Sequence, residues 1–235
     1  MNGLKSLFVL LAFAFIVPLK GSDSRYILAE HNRKVGFQFQ PMFNKGFIYN
    51  SKIPTPGGDP ITLGINYGIF GGLRLSKSIF VEAGVNHGIQ RYKHTLSGEL
   101  HDEITDFFPE RIVREDRFSR LSLPVRAVFH SSPNRLRRVA SAGVDLGFLL
   151  RHSRFDNYEF EEGSSVTNAV KSPGEFAIFQ PELRLGVGIE YDLENELSVR
   201  IEPFVSTSFF SGKNHFYSLN FWNIGILFTA QLQEY

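Results

Sequence analysis

FQPELRLGVGIEY, residues 179–191, alternates without a break between two kinds of side chain. Phe179, Pro181, Leu183, Leu185, Val187, Ile189 and Tyr191 hold the odd positions; Gln180, Glu182, Arg184, Gly186, Gly188 and Glu190 hold the even ones. A period of two places these sets on opposite faces of a β-strand, whereas the 3.6-residue turn of a helix would mix them. The same alternation runs in both directions along the chain. Downstream, Leu197, Val199, Ile201, Pro203, Val205, Thr207 and Phe209 oppose Ser198, Arg200, Glu202, Ser206 and Ser208. Upstream, Val144, Leu146, Phe148 and Leu150 oppose Gly143, Asp145 and Gly147, and Leu121, Leu123, Val125, Ala127 and Phe129 oppose Ser122, Pro124 and Arg126. Val81, Ala83, Val85 and Ile89 oppose Glu82, Gly84, Asn86, Gly88 and Gln90, and Ile61, Leu63, Ile65, Tyr67 and Ile69 oppose Thr62, Gly64, Asn66 and Gly68. Weaker patterns start at Val35, Phe37 and Phe39 and cover 219–232. Eight strands are predicted, mostly about 9–13 residues long, close to the length a tilted membrane strand needs.

Connections alternate in length. Short ones are expected at 76–78, 131–138 and 192–196, and long ones at about 44–60, 93–116 and 151–174, with a shorter fourth near 211–216. Short turns on one rim and long loops on the other mark bacterial outer-membrane barrels, with the short turns periplasmic. A water-soluble sandwich or lipocalin-like barrel also alternates, so the character of the polar face decides. Here that face is rich in glycine (64, 68, 84, 88, 143, 147, 186, 188) and sparse in charge. Small residues suit the crowded interior of a narrow barrel, which puts the apolar set against lipid. Phe179 and Phe209 at one rim, and Phe129 and Tyr191 at the other, fit interfacial girdles. The fold expected is therefore all-β, an eight-stranded antiparallel up-and-down transmembrane β-barrel. Three features sit awkwardly in it. Pro41, Pro181 and Pro203 fall inside strands and predict bulges or strand ends. His87 falls on the lipid face, and a bulge at Gly71 and Gly72 would shift the register there.

The first residues read as an export signal. Lys5 precedes an eleven-residue apolar run, LFVLLAFAFIV at 7–17, and Pro18, Lys20 and Gly21 end it. That is too short for a membrane helix of about 20 residues but suits a signal core of about 7–15. The division expected is a signal peptide at 1–22 and one barrel domain at 23–235, in the outer membrane of the cell envelope. With no cysteine, a disulfide framework, a thiolate metal site, a cysteine nucleophile and N-terminal lipidation are excluded. Lys and Arg number 25 against 24 Asp and Glu, which argues against nucleic acid as a partner.

No catalytic, cofactor or metal residues are predicted. The histidines show no paired ligand spacing. His94 and His101 share a segment with Glu99, Asp102 and Glu103, expected to be a solvated charged loop. His152-Ser153 lies near the outer rim beside Asp156 and Glu159, but adjacent strand residues point apart, which defeats a triad. The inward charges are more informative. By parity Glu82, Asp145, Glu182, Glu190 and Glu202 share the interior with Arg126, Arg184 and Arg200. Counting from the short turns puts Glu82 level with Arg126, and Asp145 level with Arg184 and Glu202. The reading favoured is a structural plug of charge-assisted hydrogen bonds; the other is a narrow ion path or gate.

The order of these segments resembles the PorT-like outer-membrane β-barrel family of Bacteroidota. The likeness is carried by FSRLSLPVRAVF at 118–129, AGVDLGFLL at 142–150, IEP at 201–203 and LNFWNIGILF at 219–228. It implies an eight-stranded barrel, usually without an assigned catalytic role, with a few relatives serving protein export. The function expected is an integral outer-membrane barrel with a structural or interaction role. Its partners would be membrane lipid and other envelope or secretion proteins, met through extracellular loops such as that holding Phe107, Phe108 and Pro109. A small ion or solute channel is the alternative, followed by a lipid hydrolase or protease.

Overall fold

Antiparallel ladders run from strand to strand until they meet. The computed structural model describes residues 33–49, 60–76, 78–97, 111–131, 135–160, 163–171, 177–193, 196–208 and 218–234. The strands are β1 (Arg33–Tyr49), β2 (Thr62–Ser76), β3 (Ile79–Ser97), β4 (Arg111–His130), β5 (Leu136–Glu159), β6 (Ser165–Lys171), β7 (Phe179–Asp192), β8 (Leu197–Ser208) and β9 (Ser218–Glu234). Sequence neighbours pair in turn, and β1 pairs with β9 from Arg33↔Glu234 to Tyr49↔Ser218, which closes the ring. β5 pairs with β7 along its lower half, from Leu136↔Tyr191 to Phe148↔Phe179, and with β6 along its upper half, from Ser153↔Lys171 to Glu159↔Ser165. β6 and β7 thus occupy one stave, and nine segments build an eight-stranded barrel. The segment read as a signal peptide lies outside the described residues.

The three short turns fall where the alternation stops. The last carries Glu196 at φ 65°, closed by Leu193 N–H donating to Leu197 O at 2.8 Å. The long loops are shorter than predicted. The β3–β4 ladder continues to Ser97↔Arg111, and most of 151–174 is the β5–β6 hairpin. That hairpin turns at Gly163, whose φ of 75° favours glycine. Phe107, Phe108 and Pro109 lie outside the described residues, as does Phe209. Two irregularities also differ from expectation. Pro41 and Pro203 cause no register shift, because each ladder resumes in the same register beyond them. Pro181 pairs with Leu146 and sits just beyond the end of the β7–β8 ladder. The β2–β3 shift falls between Arg74 and Ser76, not at Gly71 and Gly72, and a second lies in β4–β5 between Ser119 and Arg120.

Burial is inverted relative to a soluble protein. Phe37 is 71% exposed, Val187 65%, and apolar side chains cover the outer wall. The largest fully buried side chains include Arg120, Arg126, Arg184 and Arg200. A soluble barrel hides its greasy face; this one presents it. Such a wall is stable only in hydrocarbon, and there only a closed barrel leaves no sheet edge unpaired. The chain is a β-barrel of the outer membrane.

The interior of the barrel as candidate functional site

All eight predicted interior charges are buried in the lumen. Parity places them there, but the pairs they form cross the barrel. Glu82 on β3 stands opposite Arg126 in the β3–β4 ladder, yet its partners come from elsewhere. Arg200 on β8 donates to both of its oxygens, Nη1 to Oε1 at 2.9 Å and Nη2 to Oε2 at 2.8 Å. Lys34 Nζ on β1 lies 2.5 Å from the same Oε1. Arg200 also lies 3.6 Å from Glu202 and 4.0 Å from Glu190. Glu190 is flanked by His130 at 3.6 Å and Arg137 at 3.1 Å, and Arg137 bonds Asp192 as well. Glycine makes room for this layer. A Cβ on Gly186 would run into the Glu202 carboxylate, and one on Gly188 into the Ile201 carbonyl.

Above it lies an amide and guanidinium layer. Arg126 donates to Gln38, whose own amide donates to Asn86 at 2.5 Å. Arg184 donates to Gln40 at 2.7 Å, lies 3.7 Å over the Phe204 ring, and sits 3.9 Å from Glu202. Arg120 bonds Glu182 and donates to Gln90 at 3.2 Å. Ser206 and Asn223 donate to the other Glu182 oxygen at 3.3 and 3.5 Å. Asp145 faces Glu182 directly across the β5–β7 ladder rather than pairing with Arg184, which stands opposite Gly143.

The upper lumen is aromatic and then charged again. Tyr92 stacks on Phe221 at 3.9 Å between centroids, and Phe118 packs on both. His152 stacks flat on Phe118, with its Nε2 2.7 Å from Asp116 Oδ1, and Arg154 Nε lies 3.3 Å from that oxygen. Arg114 makes a two-pronged bond to Asp156 at 2.8 and 2.9 Å.

His152 therefore points inward to Asp116, and Asp156, which a hydrolase would have needed beside it, is held by Arg114. His94 is buried; His101, Glu99, Asp102 and Glu103 lie outside the described residues. Among the described residues no three His, Asp or Glu side chains gather as a metal site. His87 does face outward, with Nδ1 2.9 Å from the Tyr67 hydroxyl and Nε2 3.0 Å from that of Ser119. Sequence reasoning missed Lys34, Arg120, His130 and Arg137, all within reach of parity once the strands are drawn longer. It also missed Asp116, His152 and Arg154. The β4–β5 irregularity leaves Leu150 as an extra residue between Leu149 and Arg151, and so turns His152 inward.

No family model and no curated protein matches the chain. Among solved structures it is similar to Neisserial surface protein A, at 11% identity and a TM-score of 0.41 over 85% of this chain and 96% of that one. It is also similar to the outer membrane protein OprG of Pseudomonas aeruginosa, at 8% identity and 0.45 over 87% and 96%. A third is the outer membrane protease OmpT of Escherichia coli, at 10% identity and 0.45 over 86% and 96%. These likenesses are remote, and the architecture rests on the chain's own ladders and on the inversion of its two faces.

Proposed function

We propose that this barrel is a non-conducting outer-membrane anchor that presents its extracellular sheet to another envelope protein. The observation that carries this reading is the crossing of the lumen by ion pairs from distant staves: Lys34 of β1 and Arg200 of β8 converge on Glu82 of β3. Such pairs occupy the space an ion would need and hold the ring from inside. The upper ends of β3, β4, β5 and β6 form a sheet carrying charge on its outer face, as at Lys93, Glu115 and Arg117. A signal peptide at 1–22 would deliver the barrel domain at 23–235 to the envelope. The resemblance to PorT-like barrels supports a role as an accessory to secretion or envelope assembly. Two measurements test the reading. Planar bilayers holding the refolded chain are expected to show no stepwise conductance, and steps would instead assign a small channel. Because the chain has no cysteine, Asn168→Cys on β6 offers one unique site for a crosslinker on whole cells. A discrete envelope-protein adduct supports the anchor; only adducts that scale with protein abundance count against it.

A further inference from the structure

The outer wall ends abruptly in charge. On β3 the outward residues apart from His87 are apolar up to Ile89, and the next is Arg91. On β4 and β5 the corresponding steps bring Arg117 and Arg151. Arg91 and Arg117 are direct cross-strand partners. Ser119 is the partner of both Ile89 and Arg151, so Arg91, Arg117 and Arg151 take neighbouring outward positions around it, with the Arg117 guanidinium turned up to Glu115 and 4.3 Å over the Phe155 ring. Like charges placed opposite each other in a ladder are destabilising unless an anion offsets them. The local carboxylate, Glu115, is already bonded to Arg117 at 2.5 Å and lies 3.4 Å from Lys93. Among the described residues neither Arg91 nor Arg151 makes an ion pair, and both are exposed.

The hydroxyl at the centre is held from below. With the Tyr67 phenol donating to His87 Nδ1, the Nε2–H donates to Ser119 Oγ, and the serine hydroxyl keeps its own proton to donate to an anion. Directly beneath, exposed Ile89 and Leu150 offer a greasy wall. A ligand that suits both parts has an anionic head and acyl chains. We propose that Arg91, Arg117, Arg151 and Ser119 bind the phosphate of a phosphorylated lipid in the outer leaflet. Guanidinium groups bind phosphate oxygens through paired N–H donors, and the acyl chains would lie along the wall below. This site adjoins the charged face of the extracellular sheet at Arg117, but lipid binding is read without any partner protein and so stands or falls apart from that reading.

The test uses the refolded full chain in zwitterionic detergent, with bisphosphorylated lipid A, its dephosphorylated form and inorganic phosphate as probes, and bound lipid counted by native mass spectrometry. The phosphorylated lipid is expected to bind roughly tenfold tighter than the dephosphorylated one, and R91Q/R117Q/R151Q to lose most of that difference. Single substitutions and Ser119→Ala are expected to lose a few-fold each. R33Q/R138Q, which removes exposed arginines at the opposite rim, serves as the control and is expected to bind as the parent does. Equal loss in the control, retained affinity in the triple variant, or displacement of the lipid by inorganic phosphate would each overturn the proposal. Heat-modified electrophoretic mobility reports folding. If the triple variant does not fold, the outward-facing single variants decide the outcome.

Discussion

Arg200 shows what a buried charge does for this fold. Its guanidinium holds both oxygens of Glu82, and neither side chain reaches solvent. Removing one partner of such a pair costs about 3–5 kcal/mol because the other is stranded, whereas replacing both with apolar groups can be nearly neutral. Arg200→Leu is therefore expected to lower unfolding free energy in urea titrations by about that amount, and Arg200→Leu/Glu82→Leu to recover a large part of it. Additive losses would mean that the pair is not coupled. Gly188 makes the complementary point about size. A side chain there meets the backbone of β8 at Ile201, so Gly188→Val is expected to destabilise by about 1–3 kcal/mol through overpacking. An unchanged unfolding midpoint would show that β8 yields freely. At this scale the alternation in the sequence reveals which face a side chain takes. It cannot reveal partners, because Lys34, Glu82 and Arg200 come from strands far apart in the chain and meet only once the ring has closed.

Single elements carry information that period-two reading loses at their upper ends. Along β3, β4 and β5 the outward face changes from Ile89, Leu121 and Phe148 to Lys93, Glu115 and Asn157, while the inward face keeps Arg114 and Asp156. With polar groups on both faces the hydropathy contrast disappears, although the ladder continues to Ser97↔Arg111 and Arg111↔Glu159. Segments of that kind read as loops from sequence and fold as strands because their backbone groups pair. The extra residue at Leu150 compounds the difficulty, since a bulge reverses the parity of everything beyond it. Deleting Leu150 is expected to push His152 away from Asp116 or to make the upper ladder slip, at a cost of about 1–3 kcal/mol. Arg154, now buried beside Asp116, would become open to trypsin in folded protein, as mass spectrometry of the digest can report. Leu150→Ala keeps the extra residue and is expected to keep Arg154 protected. Equal protection in the deletion and in the alanine variant would separate the bulge from the inward turn of His152.

At the scale of the whole molecule, the outward charges set the height of the wall. On β1, Arg33 and Lys45 bracket Val35, Phe37, Phe39, Pro41 and Phe43. At about 3.3 Å per residue and a tilt near 40°, that interval spans roughly 30 Å, close to the thickness of a bilayer's hydrocarbon core. The inversion of the two faces was legible in the sequence from the glycines on the polar side of β2, β3, β5 and β7, although the interior proved far richer in charge than that reading implied, with glycine making room for the large side chains beside it. Closure was legible less directly, from the even number of strands and the physical cost of an open edge in lipid. The wall therefore makes a depth-dependent prediction. An arginine placed at mid-height, as in Leu185→Arg, is expected to destabilise the barrel in phospholipid vesicles by about 2–4 kcal/mol. The same residue near the rim, as in Val35→Arg, is expected to cost about 0–1 kcal/mol, because its long side chain can reach the interface. Reversible urea unfolding in vesicles measures both. Equal costs at the two depths would mean that the exposed surface meets no hydrocarbon gradient, and a barrel that stayed monodisperse in detergent-free buffer would say the same by a second route.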